Sequence, residues 1–106
     1  MLKASGIAIL AGGDFGHQWT HHGSYAAELQ RYVELAGMTP VEAIHTATRN
    51  AGPAAGLEVG QVREGFLADL LIVDGDPAAD VTVLQRRPRA VIKDGKFGYL
   101  NPELYP

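Results

Sequence analysis

Three hydrophobic patterns follow one another along the chain. Gly6 to Ala11 (GIAILA) is an unbroken apolar run bounded by glycine. Its length and lack of alternation predict a strand buried on both faces, as in a parallel sheet. Gly12 and Gly13 end the run, and Asp14 stands just past it. Phe15 to Gly23 (FGHQWTHHG) has no period and predicts a loop rich in His and aromatic residues. From Ser24 the period becomes helical. Ala26, Leu29, Tyr32, Val33 and Ala36 share one face at spacings of three and four, and Gly37 ends the helix. A second helix is predicted from Thr39 to Asn50. Thr39 is its cap, Pro40 its first residue and Glu42 the fourth member of a Thr-x-x-Glu box. Val41, Ile44, His45, Thr48 and Ala51 are expected on its buried side. Asn50 to Pro53 interrupts it, and Pro53 to Gly56 predicts one short terminal turn.

After Leu57 the pattern changes again. Phe66 to Val73 (FLADLLIV) predicts a strand, and Asp74 to Pro77 (DGDP) a turn. Asp80 to Leu84 fits a single helical turn. Ala90 to Ile92 and Phe97 to Tyr99 predict short strands joined through Lys93 to Lys96, where Asp94-Gly95 is a strong hairpin signal. Asn101 to Pro106 reads as a tail. The order is strand, loop, two helices, then mainly antiparallel strands. The first strand has no parallel neighbour in the chain, so its backbone groups need partners from elsewhere. This points to a piece of something larger.

Composition narrows the function classes. The chain has 106 residues, room for one ordinary domain, with 46% hydrophobic and 20% charged residues. A net charge of −3 gives no footprint for nucleic acid and no polybasic membrane anchor. Arg86, Arg87 and Arg89, broken by Pro88, read as a solvated turn. There are no cysteines, which excludes disulfides and thiolate chemistry and is compatible with a reducing cytoplasm. The apolar start, Met1 to Ala11, is too short for a membrane span and lacks a cleavage site of small residues.

The residues that carry chemistry are few. Asp14 is the leading candidate; taken alone it reads equally as a loop residue after a Gly-Gly turn. His17, His21 and His22 place three imidazoles in six residues. Metal-binding pairs need both rings to point inward, and the adjacent His21 and His22 on a loop do not give that. Phe15 and Trp19 are pocket or packing residues. His45 lies on the apolar face of the second helix and is expected in a core or interface. Glu42 reads as a cap, and Asp69, Asp74 and Asp76 as structural.

In order, the strings GIAILAGGDFG, HGSYAAELQRYVELAGMTPVEAIHTATRNAGPAAGL, GQVREGFLADLLIVDGDPAADVTVL and VIKDGK resemble the C-terminal end of the amidohydrolase superfamily. The branch they are most similar to is the imidazolonepropionase and prolidase-like group. The resemblance runs from about Gly6 to Lys96. It implies an α/β fold: the C-terminal fragment of a (β/α)8 metal-dependent hydrolase barrel, with its last strand and closing helices, plus part of a composite β-sandwich. Residues 1–56 would hold the last barrel strand, the active-site loop and the closing helices, and residues 57–106 the C-terminal portion of the sandwich. In such barrels catalytic groups sit at the C-terminal strand ends, where Asp14 falls. The matching Asp in the family binds a divalent metal, of the zinc type, and takes a proton from the metal-activated water that attacks an amide or other C–N bond. His22-Gly23 matches a His-Gly at the active-site mouth, where His22 would touch substrate.

Two departures limit the likeness. The family places Thr or Ser before the Asp, and here Gly13 offers no hydroxyl to orient it. The family's His-x-His is absent, and Lys93 and Lys96 flank a hairpin turn. A hydrolytic metal site needs about three protein ligands plus water, and this chain supplies one in a recognisable place. It is therefore expected to be inactive alone and to hold no metal by itself, with the remainder of the barrel or further copies of itself as partner and a small molecule as substrate. Peptide, imidazolone, urea and lactone substrates all stay open. The other reading is a non-catalytic binding or assembly module derived from the family.

Overall fold

The computed structural model describes residues 8–12 and 25–104. The elements are α1 (Tyr25–Ala36), α2 (Pro40–Ala47), α3 (Ala51–Ala55), β1 (Leu70–Ile72), a 3-10 turn (Val81–Gln85), β2 (Ala90–Lys93) and β3 (Lys96–Leu100). The expected strand over Gly6 to Ala11 falls partly outside the described residues, and its described part, Ala8 to Gly12, belongs to no strand. No neighbouring strand exists among the described residues to offer it a ladder. Its exposure nevertheless alternates: Ile9 and Ala11 are half-buried against the helices, whereas Ala8, Leu10 and Gly12 are exposed.

α1 and α2 form a tight hairpin. Gly37, at φ 72°, turns the chain out of α1, and the Met38 N–H reaches back to the Tyr32 carbonyl at 3.2 Å. Thr39 Oγ1 then accepts the Glu42 N–H at 3.2 Å, with Pro40 in the first turn, as the capping pattern predicts. Leu29, Met38, Ala43 and Val81 form the buried core, with Tyr32, Val33, Ile44 and Leu84 packed against it. Val81 comes from the 3-10 turn, so the β portion seats itself on α1. Gln85 Nε2 adds a 2.6 Å bond to Gln30 Oε1 across the same contact.

The second helix differs from expectation in length and rotation. It ends at Ala47, and the chain re-enters a short helix at Ala51 instead of continuing to Asn50. Its innermost residues are Ala43, at 0% exposure, and Thr46, at 2%, while Val41 stays 41% exposed. The small Ala43 side chain lets the two helices approach, and Thr46 Oγ1 satisfies itself on the Ala43 carbonyl at 2.6 Å. Ile44, Thr48 and Ala51 of the expected buried face are half-buried and, with Thr46, line an open cavity.

The sheet is antiparallel, in the order β1-β2-β3. Leu71 pairs with Val91 and Val91 with Tyr99; Gly98 is the extra residue of a bulge between the Val91–Tyr99 and Ile92–Phe97 pairs. Asp94 (φ 49°) and Gly95 (φ 77°) both adopt the left-handed conformation that a two-residue hairpin requires. The strand expected over Phe66 to Val73 shortens to Leu70–Ile72 because the preceding residues bond elsewhere. The Leu67 N–H donates to the Glu58 carbonyl at 2.9 Å. Asp69 turns to the hairpin, accepting from the Asp94 N–H at 2.8 Å and Lys93 Nζ at 2.7 Å.

Gly60 joins the two halves at close range. Its φ is 89°, and a Cβ there would lie 2.1 Å from the Thr48 carbonyl oxygen. The expected tail is partly ordered: the Asn101 N–H donates to the Arg89 carbonyl at 2.9 Å, and Asn101 is buried. Among the described residues no helix is long and apolar enough to cross a membrane.

Candidate active site

Asp14, His17, His21 and His22, with Phe15 and Trp19, lie outside the described residues. What the structure shows is the frame that leads to them. Ala8 to Gly12 is pinned to the C-terminal end of α2 by two bonds: the Ala11 N–H donates to the Thr46 carbonyl at 3.0 Å, and Asn50 Nδ2 donates to the Ile9 carbonyl at 3.1 Å. In the sequence Asn50 read only as a helix breaker. Its contact partner is 41 positions away, so no local pattern announces this role.

At the other end of the same segment, α1 presents a polar pair. The Tyr32 hydroxyl donates to Glu28 Oε1 at 2.8 Å. The phenol is held above its ordinary pKa by burial first, then by the Glu28 hydrogen bond and charge, with the Gly12 backbone opposing. It stays protonated and donates throughout the physiological range. Glu28 Oε2 lies 3.7 Å from Arg31 Nη1.

His45 is half-buried on α2, beside a hollow of about 160 Å³ that it shares with Ile9, Met38 and Asn50. This agrees with a packing position. Glu42 sits at the α2 cap. The Asp69 carboxyl is lowered from its ordinary value, through the Lys93 hydrogen bond first and then the Asp94 amide, which fits its reading as structural. Asp80 is likewise lowered, by its bonds to the Thr82 hydroxyl and amide, as it caps the 3-10 turn.

A cavity of about 720 Å³ opens between the helices and the sheet, walled largely by apolar side chains such as Leu29, Ile44, Leu70 and Leu71. Gly12 and Glu28 stand on its border. Among the described residues no three His, Asp or Glu side chains come together in a way that could hold a metal ion. The described part of the chain therefore does not by itself fit one.

The described geometry is an antiparallel sheet seated on a helical hairpin, and comparison with known proteins gives its family. The amidohydrolase family profile matches residues 2–98, and the chain belongs to the amidohydrolase family. It is 45% identical over 105 residues to ochratoxinase of Aspergillus niger, covering 93% of this chain and 22% of that protein. It is 35% identical over 98 residues to imidazolonepropionase of Alteromonas mediterranea, covering 90% and 23%. Among solved structures, a candidate prolidase of Bifidobacterium longum superposes with a TM-score of 0.86 at 31% identity, over 92% of this chain and 24% of that one. The crystal structure of A. niger ochratoxinase gives a TM-score of 0.67 at 39% identity, over 73% and 19%. The chain thus spans less than a quarter of the length of each of these relatives.

Proposed function

We propose that this chain is the C-terminal part of a metal-dependent amidohydrolase that cleaves amide or other C–N bonds. In this reading residues 1–56 supply the last barrel strand, the active-site loop and the closing helices, and residues 57–106 part of the sandwich. Asp14 contributes one carboxylate to the centre and serves as general base, and His22 reaches the substrate. The remaining metal ligands come from outside these 106 residues, and the chain alone does not turn over substrate.

The observation that carries the reading is the coincidence of two surfaces. The family match spans nearly the whole chain but under a quarter of each relative named above. The apolar side chains of Ile44 on α2 and of Leu70 and Leu71 on β1 line the open cavity. Leu10, on the outer side of the Ala8 to Gly12 segment, is 44% exposed. Apolar positions left open in this way suit packing against a larger body.

The test is a chimera in which this chain replaces the matching segment of A. niger ochratoxinase. The chimera should fold and retain the host's turnover, and Asp14→Asn should lower that turnover by about 10²- to 10⁴-fold, the usual worth of a positioned acid–base group. A folded chimera whose turnover ignores Asp14→Asn would sink the assignment. A chimera that folds and binds but never turns over would favour the non-catalytic module.

A further inference from the structure

We propose that Asp74-Gly75 is a site of slow covalent modification, at which Asp74 rearranges through a cyclic imide to isoaspartate, while the fold protects the same dipeptide at Asp94-Gly95.

The chain holds these two Asp-Gly dipeptides, and both are open to the same chemistry. Glycine has no Cβ to obstruct the approach of its amide nitrogen to the preceding carboxyl carbon. The nitrogen gives up its proton and bonds to Cγ of the aspartate. A Cγ–O bond breaks, and the oxygen leaves as water with the amide proton and the carboxyl proton. Water then adds to either imide carbonyl. Addition at Cγ restores aspartate. Addition at the main-chain carbonyl carbon breaks its bond to the glycine nitrogen and leaves the chain running through Cβ and Cγ. The water lost is regained, so no co-reactant is needed and the mass is unchanged.

Both dipeptides are exposed, so access to water does not separate them. Their hydrogen bonds do. In the hairpin the Gly95 N–H, the group that must attack, donates to the Ala68 carbonyl at 3.0 Å. The Asp94 N–H donates to Asp69 Oδ1 at 2.8 Å, and Lys93 Nζ holds the other Asp69 oxygen at 2.7 Å. Ring closure at Asp94 must first open the bonds that define the turn. The bend at Asp74 and Gly75 has no such lock. The Gly75 N–H donates to no acceptor among the described residues. Asp74 Oδ1 meets Arg89 Nη1 at 3.1 Å, and both side chains are exposed. An exposed ion pair of this kind restrains little.

The position matters for the fold because of what Gly75 touches. A Cβ there would lie 3.0 Å from Val83 Cγ1, so the backbone runs against Val83. Val83 is buried in the 3-10 turn, whose Val81 joins the core with Leu29 of α1. Isoaspartate adds a methylene to the main chain between Asp74 and Gly75 and moves the free carboxylate onto Cα. The first change shifts Gly75 against Val83, and the second takes the carboxylate away from Arg89.

The experiment ages the 106-residue chain at neutral pH and body temperature for some weeks, in buffer and in guanidinium chloride. Peptide mapping locates isoaspartate, and methyl transfer by an isoaspartate-specific methyltransferase counts it. In buffer, conversion at Asp74 should exceed conversion at Asp94 by about tenfold, the scale of opening one or two hydrogen bonds. In guanidinium chloride the two should converge. Asp69→Ala removes the acceptor of the Asp94 amide, and should raise conversion at Asp94 while leaving Asp74 as it was. Amide exchange at Val83 should quicken in the aged chain while exchange at Ala43, in α2, stays as in the fresh one. Equal conversion at the two dipeptides in buffer, or more at Asp94, would overturn the proposal. So would an excess at Asp74 that persists in guanidinium chloride, because the fold would then not be its cause.

Discussion

The turns of the β portion satisfy their carboxylates within that portion, whereas the apolar faces of the α2 helix and of β1 stay open toward the cavity. In the β portion the side chains of Asp69, Asp76 and Asp80 each accept backbone N–H groups of nearby turns, and Arg89 meets Asp74 at 3.1 Å. In the helical portion Ile44, Thr48 and Ala51 face a cavity, and Ala8 to Gly12 is tied by one backbone and one side-chain bond. Turn chemistry can thus be complete where apolar burial is not. A turn needs only a few polar partners, but an apolar face needs a body to pack against.

Four changes would break or sharpen that contrast. The largest effect is expected at Gly60, where the two portions meet. Gly60→Ala combines a left-handed φ of 89° with a Cβ driven into the Thr48 carbonyl, and should cost about 3 kcal/mol or more by urea unfolding. Ala43→Leu, in the helix contact, should cost about 1–3 kcal/mol by overpacking a fully buried position. Thr39→Ala removes the α2 cap and should cost about 1 kcal/mol. The smallest effect belongs to the exposed Asp69–Lys93 clamp. Asp69 is lowered by Lys93, so its contribution holds above the usual carboxylate range and is lost as pH falls through its depressed pKa. Lys93 is raised by Asp69, so its contribution is present at neutral pH and lost only as pH rises beyond the ordinary lysine range. Amide exchange at Asp94 and Gly95 should therefore loosen at both pH extremes, after correction for the intrinsic rate, while the α1 amides do not follow.

What could be read from the sequence divides along the same line. The Thr39-Pro40-Glu42 cap, the Gly37 stop and the Asp94-Gly95 hairpin were legible because each depends on a few adjacent residues. The rotation of α2 was not. Periodicity marked its most apolar face, of which Ile44, Thr48 and Ala51 line the cavity and Val41 is exposed, while Ala43 and Thr46, unremarkable by hydropathy, are its most buried residues. The shortening of β1 was hidden too, because Asp69 serves a hairpin 25 positions later. At the site, Asp14 and the His17 to His22 group lie outside the described residues. The sequence argues for them through family likeness, and the structure adds the anchors at Thr46 and Asn50 on the preceding segment, which have no local signature.

Metal content after dialysis tests the central claim most directly. The purified 106-residue chain and the ochratoxinase chimera that carries it are compared by elemental analysis, with turnover measured on the same samples. The account predicts that the chain alone holds well under one divalent ion per molecule and is inactive, while the chimera holds metal, turns over, and loses turnover with Asp14→Asn. One tightly held ion per isolated chain, together with metal-dependent turnover, would contradict it and mean that these 106 residues contain a complete site.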